Sequence, residues 1–331
     1  MKTWYKVRPV DTFFFKGATP MVMGENHTSE TVFPPSAETI AGAVRTATLL
    51  QQDIDFNDYC QQTFNDDRII TSIGRAGDPP PFEIMGPVFL KNSIIYVPAP
   101  FHWYVEKTDI DKNKQTDIDM NKKESTAIPV YRSRPVQSDF VNTSRGTGLY
   151  AAIGRKGELR SAGGLWVKLE DLNSDKTEIE FKFVENFFTS EPRTGIALEN
   201  NRKVKESHLY TFTHIRLHPD TQLIFGISQD TEPLFAPGGI LYLGGEKRLG
   251  YYQKIQIPVP EQEKDADMFM TLSAMPCKSV DTDLLVATGK ILYRGGWDMK
   301  KKFHKPLTGF YPAGTVFSKK TDKNQLPVKG E

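Results

Sequence analysis

The stretch Leu243-Gly244-Gly245-Glu246-Lys247-Arg248-Leu249-Gly250-Tyr251-Tyr252 constrains the fold of this chain more than any other. Three glycines and two adjacent cations lie between the apolar run Ile240-Leu241-Tyr242-Leu243 and a pair of tyrosines. Glycine tolerates positive φ and lets the backbone approach a ligand closely. Cations beside such a turn suit an anion, most simply a phosphate. Taken alone the stretch reads first as a hairpin turn with solvated charges, because Gly-rich turns commonly join strands. It is not a triphosphate P-loop: no Lys-Ser or Lys-Thr closes it, and G-x-x-x-x-G-K-[ST] occurs nowhere in the chain.

The 331 residues are enough for two domains of about 150 residues, each with its own core. With 38% hydrophobic and 25% charged residues the chain is globular rather than disordered. No apolar run approaches the ~20 residues of a membrane helix, and Met1 to Arg8 reads as a strand without the apolar core of a signal peptide. A cytoplasmic protein with no membrane partner is expected. Cys60 and Cys277 form no Cys-x-x-Cys pair, and the six histidines lack zinc-ligand spacing, so neither metal nor cofactor is expected.

Net charge is only +1, from 42 Lys and Arg against 41 Asp and Glu. A nonspecific nucleic-acid binder is usually far more basic, so nucleic acid would have to be held by local clusters. The charge is segregated: Asp53 to Asp67 holds five Asp and no cation, whereas Arg132, Arg134, Arg145, Arg155, Lys156 and Arg160 crowd one stretch. Lys300, Lys301, Lys302 and Lys305 crowd another. Such segregation fits one face for an acidic partner, and solvated faces produce it too.

In chain order, Trp4 to Phe15 has the aromatic and β-branched content of a strand, followed by a long loop from Lys16 to Pro35. Ser36 is a helix cap. The helix from Thr39 to Gln52 puts Ile40, Ala43, Val44, Ala47 and Leu50 on one face, with Arg45 off it. Gly42 is expected to let this helix lie close against a sheet. An acidic, helical segment leads to strands Phe82 to Leu90 and Ser93 to Val97, turning at Asn92-Ser93. Pro98 to Ser144 reads as an irregular inserted arm or hairpin. Short strands follow at Leu149 to Lys156 and Leu165 to Leu169. The second half is sheet-rich, with strands at Ile179–Phe188, His208–Leu217, Gln222–Ser228, Ile240–Leu243, Leu249–Ile257 and Met268–Ala274. Glu191 to Ala197 and Asn200 to Lys205 read as a basic, turn-rich connector, in which Arg193 suits bidentate phosphate binding. Gly295-Gly296-Trp297 reads as a turn that sets an aromatic surface beside lysines, a combination useful for single-stranded nucleic acid.

A helix after the first strand and then paired strands is the order of an α+β, ferredoxin-like (RRM-like) sandwich. The expected domains are residues 1–185, carrying the arm near 98–144, and residues 186–331, carrying the glycine-rich loop.

Five blocks in this order resemble one family. They are Pro9-Val10-Asp11-Thr12-Phe13-Phe14-Phe15-Lys16-Gly17 with Phe33 to Ala47; Glu191 to Leu198 with His208 to Leu217; Leu243 to Tyr252; Gly295-Gly296-Trp297-Asp298; and Tyr311-Pro312-Ala313-Gly314-Thr315. The family is the Cmr-type RAMP subunit of type III-B CRISPR effectors that caps the crRNA 5′ tag. The tag-capping subunits of type III-A and type I complexes share the first block and the loop but less of the rest. The resemblance implies two ferredoxin-like RAMP domains and a non-catalytic subunit that holds the repeat-derived 5′ tag of the crRNA. It also implies a partnership with the large polymerase-like subunit and contact with the backbone RAMP subunit. On this reading Lys247, Arg248 and the amides of Gly244 and Gly245 hold phosphates, while Arg45, Arg193, Arg202 and Lys16 add charge. His27 and Trp297 stack or bond bases, and Leu249, Tyr251 and Tyr252 anchor the loop to the sheet. The rival reading is a metal-independent endoribonuclease trimming repeat RNA, with His27 as base beside Lys16 or Arg45.

Overall fold

A computed structural model describes residues 2–17, 28–29, 31–63, 66–118, 126–137, 148–151, 158–199, 203–228, 234–257, 266–298 and 303–329. Strand β1, Lys2–Pro9, starts the first sheet. Its period-2 alternation sends Tyr5 and Val7 to one face, where both are buried, and Lys6 and Arg8 to the other. β1 runs antiparallel between strands Thr221–Ser228 and Leu249–Ile255, and the latter pairs onward with Gly238–Tyr242.

Helix α1, Ala37–Gln51, begins where expected, with the Ser36 hydroxyl accepting from the Thr39 amide at 3.2 Å. Ile40, Ala43, Val44 and Ala47 are buried as the pattern requires. Leu50 is not: it is exposed, and Thr48 and Leu49 are buried in its stead, because the contact face rotates towards the helix C-terminus. Gly42 has no close neighbour, since an added Cβ would meet nothing within 4 Å, so close helix–sheet packing is not its function. The helix is tied to the sheet by Gln51, whose Nε2 donates to the Tyr252 hydroxyl at 2.6 Å. Tyr252 stacks on Phe235 with centroids 4.3 Å apart, and Tyr5 meets Phe225, Phe235 and Tyr252. Each of these buried rings is worth about 2–3 kcal/mol in removed apolar surface. The acidic segment is helical as expected, in Phe56–Gln61 and Asp67–Ile73, and Asp55 and Asp66 supply the N-caps.

Glu191 to Ala197 is not a loop. It lies in strand Phe188–Leu198, which pairs with strand Val204–Leu217 from Phe188↔Leu217 to Ile196↔Leu209. Alternating Thr, Ser and Ile suit a pleat, and Gly195 leaves the space that the Tyr210 ring fills. Gly295-Gly296-Trp297 likewise falls inside a strand, Leu292–Asp298, paired with Phe303–Tyr311, rather than in a turn.

The chain forms two compact units that interleave. One comprises Met1–Pro87, Phe188–Ile257 and Tyr293–Thr308, the other Val88–Phe187, Pro258–Leu292 and Gly309–Glu331. Residues 258–292 and 309–331 cluster with 88–187. In the second unit strand Ile94–Pro98 follows an Asn92-Ser93 turn with φ of 49° and 66°, and pairs with Trp166–Lys168. Phe89 and Phe187 stack at 4.1 Å against Trp166 and Tyr96. Within the expected arm at 98–144 the described residues include regular structure and buried side chains, among them Trp103, Val105, Ile110, Ile128 and Val130. Strand Trp103–Glu106 buries Trp103 and Val105 completely, pairs with Tyr131–Arg132 and Leu159–Ser161, and runs into helix Lys107–Ile118. Met268–Thr271, Val316–Phe317 and Gln325–Val328 form a further sheet.

Candidate nucleic-acid interface

The glycine-rich stretch joins strand Gly238–Tyr242 to strand Leu249–Ile255. The Arg248 amide donates to the Gly245 carbonyl at 3.2 Å, and Glu246 and Lys247 between them have φ of 54° and 53°. Two successive left-handed residues make a type I′ turn, whose twist matches the flanking strands. Neither residue is glycine, so the turn stores backbone strain of about 1 kcal/mol or more per residue. Glycine is required one step earlier. Gly244 has φ of +95°, and a Cβ there would collide with the Phe14 carbonyl oxygen and meet the Phe15 ring at 3.1 Å. The Gly245 amide donates to that same Phe14 carbonyl at 2.7 Å.

The segment after β1 fixes the loop because it is itself fixed. Phe13 and Ile215 exchange backbone hydrogen bonds of 2.8 and 2.9 Å, and the Val10 amide donates to the Leu249 carbonyl at 2.9 Å. Phe13, Phe14 and Phe15 are buried, with Phe14 against Phe212 and stacked on His214 at 5.4 Å. Asp11, left exposed at the edge of this packing, becomes a hub. Its Oδ2 accepts from Arg193 and its Oδ1 from Arg216, both at 2.9 Å, and Arg248 lies 3.6 Å away. Glu191 accepts from Arg193 at 2.6 Å and from Arg216 at 2.7 Å, and Glu246 pairs with Arg248 at 3.3 Å. Hydrogen bonding from Arg193, with Arg216 adding to it, holds the Asp11 carboxyl below the ordinary range. Arg216 and then Arg193 do the same for Glu191.

His214 is buried beneath the loop, its Nδ1 3.1 Å from the Thr12 hydroxyl and its Nε2 3.6 Å from Glu246. Desolvation, then the Arg248 and Arg193 charges, push its pKa down. Three guanidiniums therefore converge on one patch, each facing carboxylates already in place. Lys247 is exposed, and among the described residues it has no ion-pair partner.

Of the residues expected at the site, Gly244, Gly245, Lys247, Arg248 and Arg193 come together here. Lys16 is exposed and bridges Thr31 through its backbone. Arg45 is elsewhere occupied: it donates to the carbonyls of Asp78, at 3.0 Å, and Arg75, bonds the Tyr59 hydroxyl, and lies over the Tyr59 ring. It fastens α1 to the segment after the third helix. His27 and Arg202 lie outside the described residues, and Trp297 is described only as part of its strand. Tyr251 and Tyr252 do not share a role. Tyr252 is the buried anchor, whereas Tyr251 points to the opposite, open face. Arg216, Asp11 and Glu191 were not singled out in the sequence. The signal for Arg216 was present, since His214 and Arg216 alternate onto the same face of a strand.

No group of three or more His, Cys, Asp or Glu among the described residues could hold a metal ion. No helix among them is long and apolar enough to cross a membrane.

A mixed α/β chain, mostly strands, with a glycine loop pinned to the segment after its first strand, defines the class: it is built like a subunit of a Cmr complex. The chain matches the model for the family described as CRISPR-associated protein (Cas_Cmr3) over residues 5–327, and it belongs to that family. The family is one of structural subunits of CRISPR type III effector complexes, and the resemblance read from the sequence blocks is thereby established. Among solved structures the chain is similar to one in the type III-B Cmr-beta complex bound to cognate target RNA and AMPPnP, state 1. There the TM-score is 0.53 at 14% identity, covering 95% of this chain and 85% of that chain. For a chain of Cmr-beta bound to cognate target RNA alone, the TM-score is 0.52 at 15% identity, covering 96% and 86%. At such identities the likeness is one of fold. No curated protein matches.

Proposed function

We propose that this chain is a non-catalytic, crRNA-binding subunit of a type III-B effector, holding the repeat-derived 5′ tag at the glycine loop. The observation that supports this most is convergence. Asp11, Arg193, Arg216 and Arg248 come from three sequence blocks up to 237 positions apart and meet within hydrogen-bond or ion-pair distance beside the loop. Arg193 and Arg216, with the exposed Lys247, give the phosphate-binding set. Arg45, committed to backbone carbonyls, is left out of it. The central β1 with an antiparallel neighbour on each side, followed by α1, supports an RRM-like first unit. Such units read unpaired RNA through stacking and edge contacts. The related complexes are multi-subunit, so the large polymerase-like subunit and a backbone RAMP subunit are the proposed protein partners. Tyr293, Phe303 and Leu307 are each more than 60% exposed, apolar side chains of the kind a protein partner covers.

The test is ultraviolet crosslinking of guide RNA in the assembled complex. Crosslinks from the first nucleotides of the guide to peptides containing residues 191–216 or 243–252 are expected. A complex that contains both guide and this chain, yet crosslinks it only to protein, refutes the reading. Cleavage of repeat RNA by the purified chain in EDTA would instead restore the endoribonuclease reading.

A further inference from the structure

The tyrosine that turns away from the core marks a second surface. Cross-strand register sets Arg8 of β1 opposite Tyr251, and Tyr251 opposite Ile240, so these three side chains form one row across three strands. Lys6, Gln253 and Gly238 form the next row. Lys6, Arg8, Ile240, Tyr251 and Gln253, with Gln222, Gly239 and Tyr252, line an open cavity of about 500 Å³ on the sheet face. Tyr251 is 57% exposed and Ile240 49%.

The chemistry of this lining is one-sided. It contains two cations, two carboxamides, the exposed Tyr251 ring beside the buried Tyr252, and no carboxylate. Among the described residues neither Lys6 nor Arg8 has an ion-pair partner, in contrast to the arginines at the glycine loop, which are all matched by acids. Lys6 and Arg8 are two residues apart on a strand, hence about 7 Å apart along it, and both sit beside the ring. An aromatic face flanked by unpaired cations binds an unstacked base together with its phosphates. The amides of Gln222 and Gln253 can donate to and accept from a base edge. A purely apolar partner would leave Lys6 and Arg8 desolvated and unmatched, which is costly. Tyr251 is the third residue of strand Leu249–Ile255, which starts directly after Arg248, so this face belongs to the strand that leaves the loop.

We propose that this sheet face is a second single-stranded RNA subsite, distinct from the glycine loop. In it Tyr251 stacks one unpaired base, and Lys6 and Arg8 hold the adjoining phosphates. The inference rests on the guide-RNA reading above and extends it.

The experiment uses the assembled complex carrying guide RNA, with this chain as wild type, Tyr251→Ala, Tyr251→Phe, the double change Lys6→Gln with Arg8→Gln, or Lys247→Gln. The readout is the yield of guide crosslinks at each peptide, with guide retention against rising salt. Tyr251→Ala should lower retention roughly ten-fold, the range of one lost stacking contact, and Tyr251→Phe should restore it. The Lys6/Arg8 double change should make retention less salt-dependent, by about the slope of two phosphates. Unchanged retention in Tyr251→Ala, with loop crosslinks intact, overturns the subsite and leaves the loop reading standing. Crosslinks from Tyr251 to a protein subunit overturn it too, by making this face a protein interface. Loss of guide crosslinks from the whole chain, Lys247 peptide included, is the separate result that removes the guide-RNA reading itself. Because Tyr251 is exposed, the Ala variant folds; the Phe variant checks that independently.

Discussion

Substituting Gly244 with alanine tests the claim that the loop is held by its backbone. Gly244 has φ of +95°, a conformation costing a residue with a Cβ about 1–3 kcal/mol. The new methyl group would also drive into the Phe14 carbonyl oxygen, forcing that oxygen and the Gly245 amide apart. Losing their 2.7 Å hydrogen bond removes about 1 kcal/mol, and stranding a buried carbonyl adds about 1–2 kcal/mol. A total near 4 kcal/mol is expected, a large fraction of a domain's stability. Gly164 supplies the control. Its φ is +92°, yet an added Cβ would meet nothing within 4 Å, so Gly164→Ala carries the backbone cost alone. In urea unfolding of the full chain, Gly244→Ala should be the more destabilising by about 2–3 kcal/mol. It should also lose guide crosslinks at residues 243–252. Equal destabilisation by the two alanines would refute the argument, because it would mean that contact with Phe14 contributes nothing.

Other outcomes follow from the same geometry. Lys247→Gly relieves a left-handed residue and should stabilise the chain by about 0.5 kcal/mol after the entropy of the added glycine is subtracted, while weakening RNA retention; a denaturation curve and a filter-binding titration read the two opposite signs. Asp11→Asn removes the carboxylate shared by Arg193 and Arg216. Since Asp11 is 45% exposed and screened, it should cost only about 1 kcal/mol of stability, yet raise RNA affinity several-fold at low salt; an unchanged affinity would show that those arginines do not meet phosphate. His102, buried with its Nε2 3.3 Å from the Lys329 carbonyl, has its pKa pushed down to about 4 by desolvation, against about 6.5 unfolded. Between those values the unfolded chain binds a proton the folded chain refuses. Stability should therefore fall as pH drops from about 6.5 to 4, by up to about 3 kcal/mol. His102→Gln, which keeps a donor for Lys329, should flatten that slope in unfolding midpoints taken across the window.

What the sequence revealed depended on whether the signal was local. The Ser36 cap, the Asn92-Ser93 turn and the first strand follow from neighbours within a few residues, and all were legible. Strand Phe188–Leu198 was missed because Pro192, Arg193 and Gly195 read locally as loop, whereas its pleat is imposed by a partner up to 29 residues away. The core strand Trp103–Glu106 was hidden in the same way, four residues between a proline-punctuated run and a charged helix. At the site, the glycine loop and Arg193 were visible as chemistry. Their counter-ions were not, since an aspartate at position 11 gains its meaning only when the fold brings residues 193 and 216 against it. Arg45 shows the converse: an exposed-face cation in the helical pattern turned out to serve backbone carbonyls.

Strand Gly238–Tyr242, which leads into the loop, ends its sheet: among the described residues only Leu249–Ile255 pairs with it. Among the described residues its outer rim therefore has no strand partner, and Ile240 and Tyr242 on it are exposed. Natural sheets guard such rims with charge, brevity or irregularity. Here the strand has five residues, opens with two glycines and carries no charge, so brevity alone protects it. Expressed without its complex, the chain is expected to self-associate by strand addition at this rim in a concentration-dependent way. A lysine at Ile240 should keep it monodisperse.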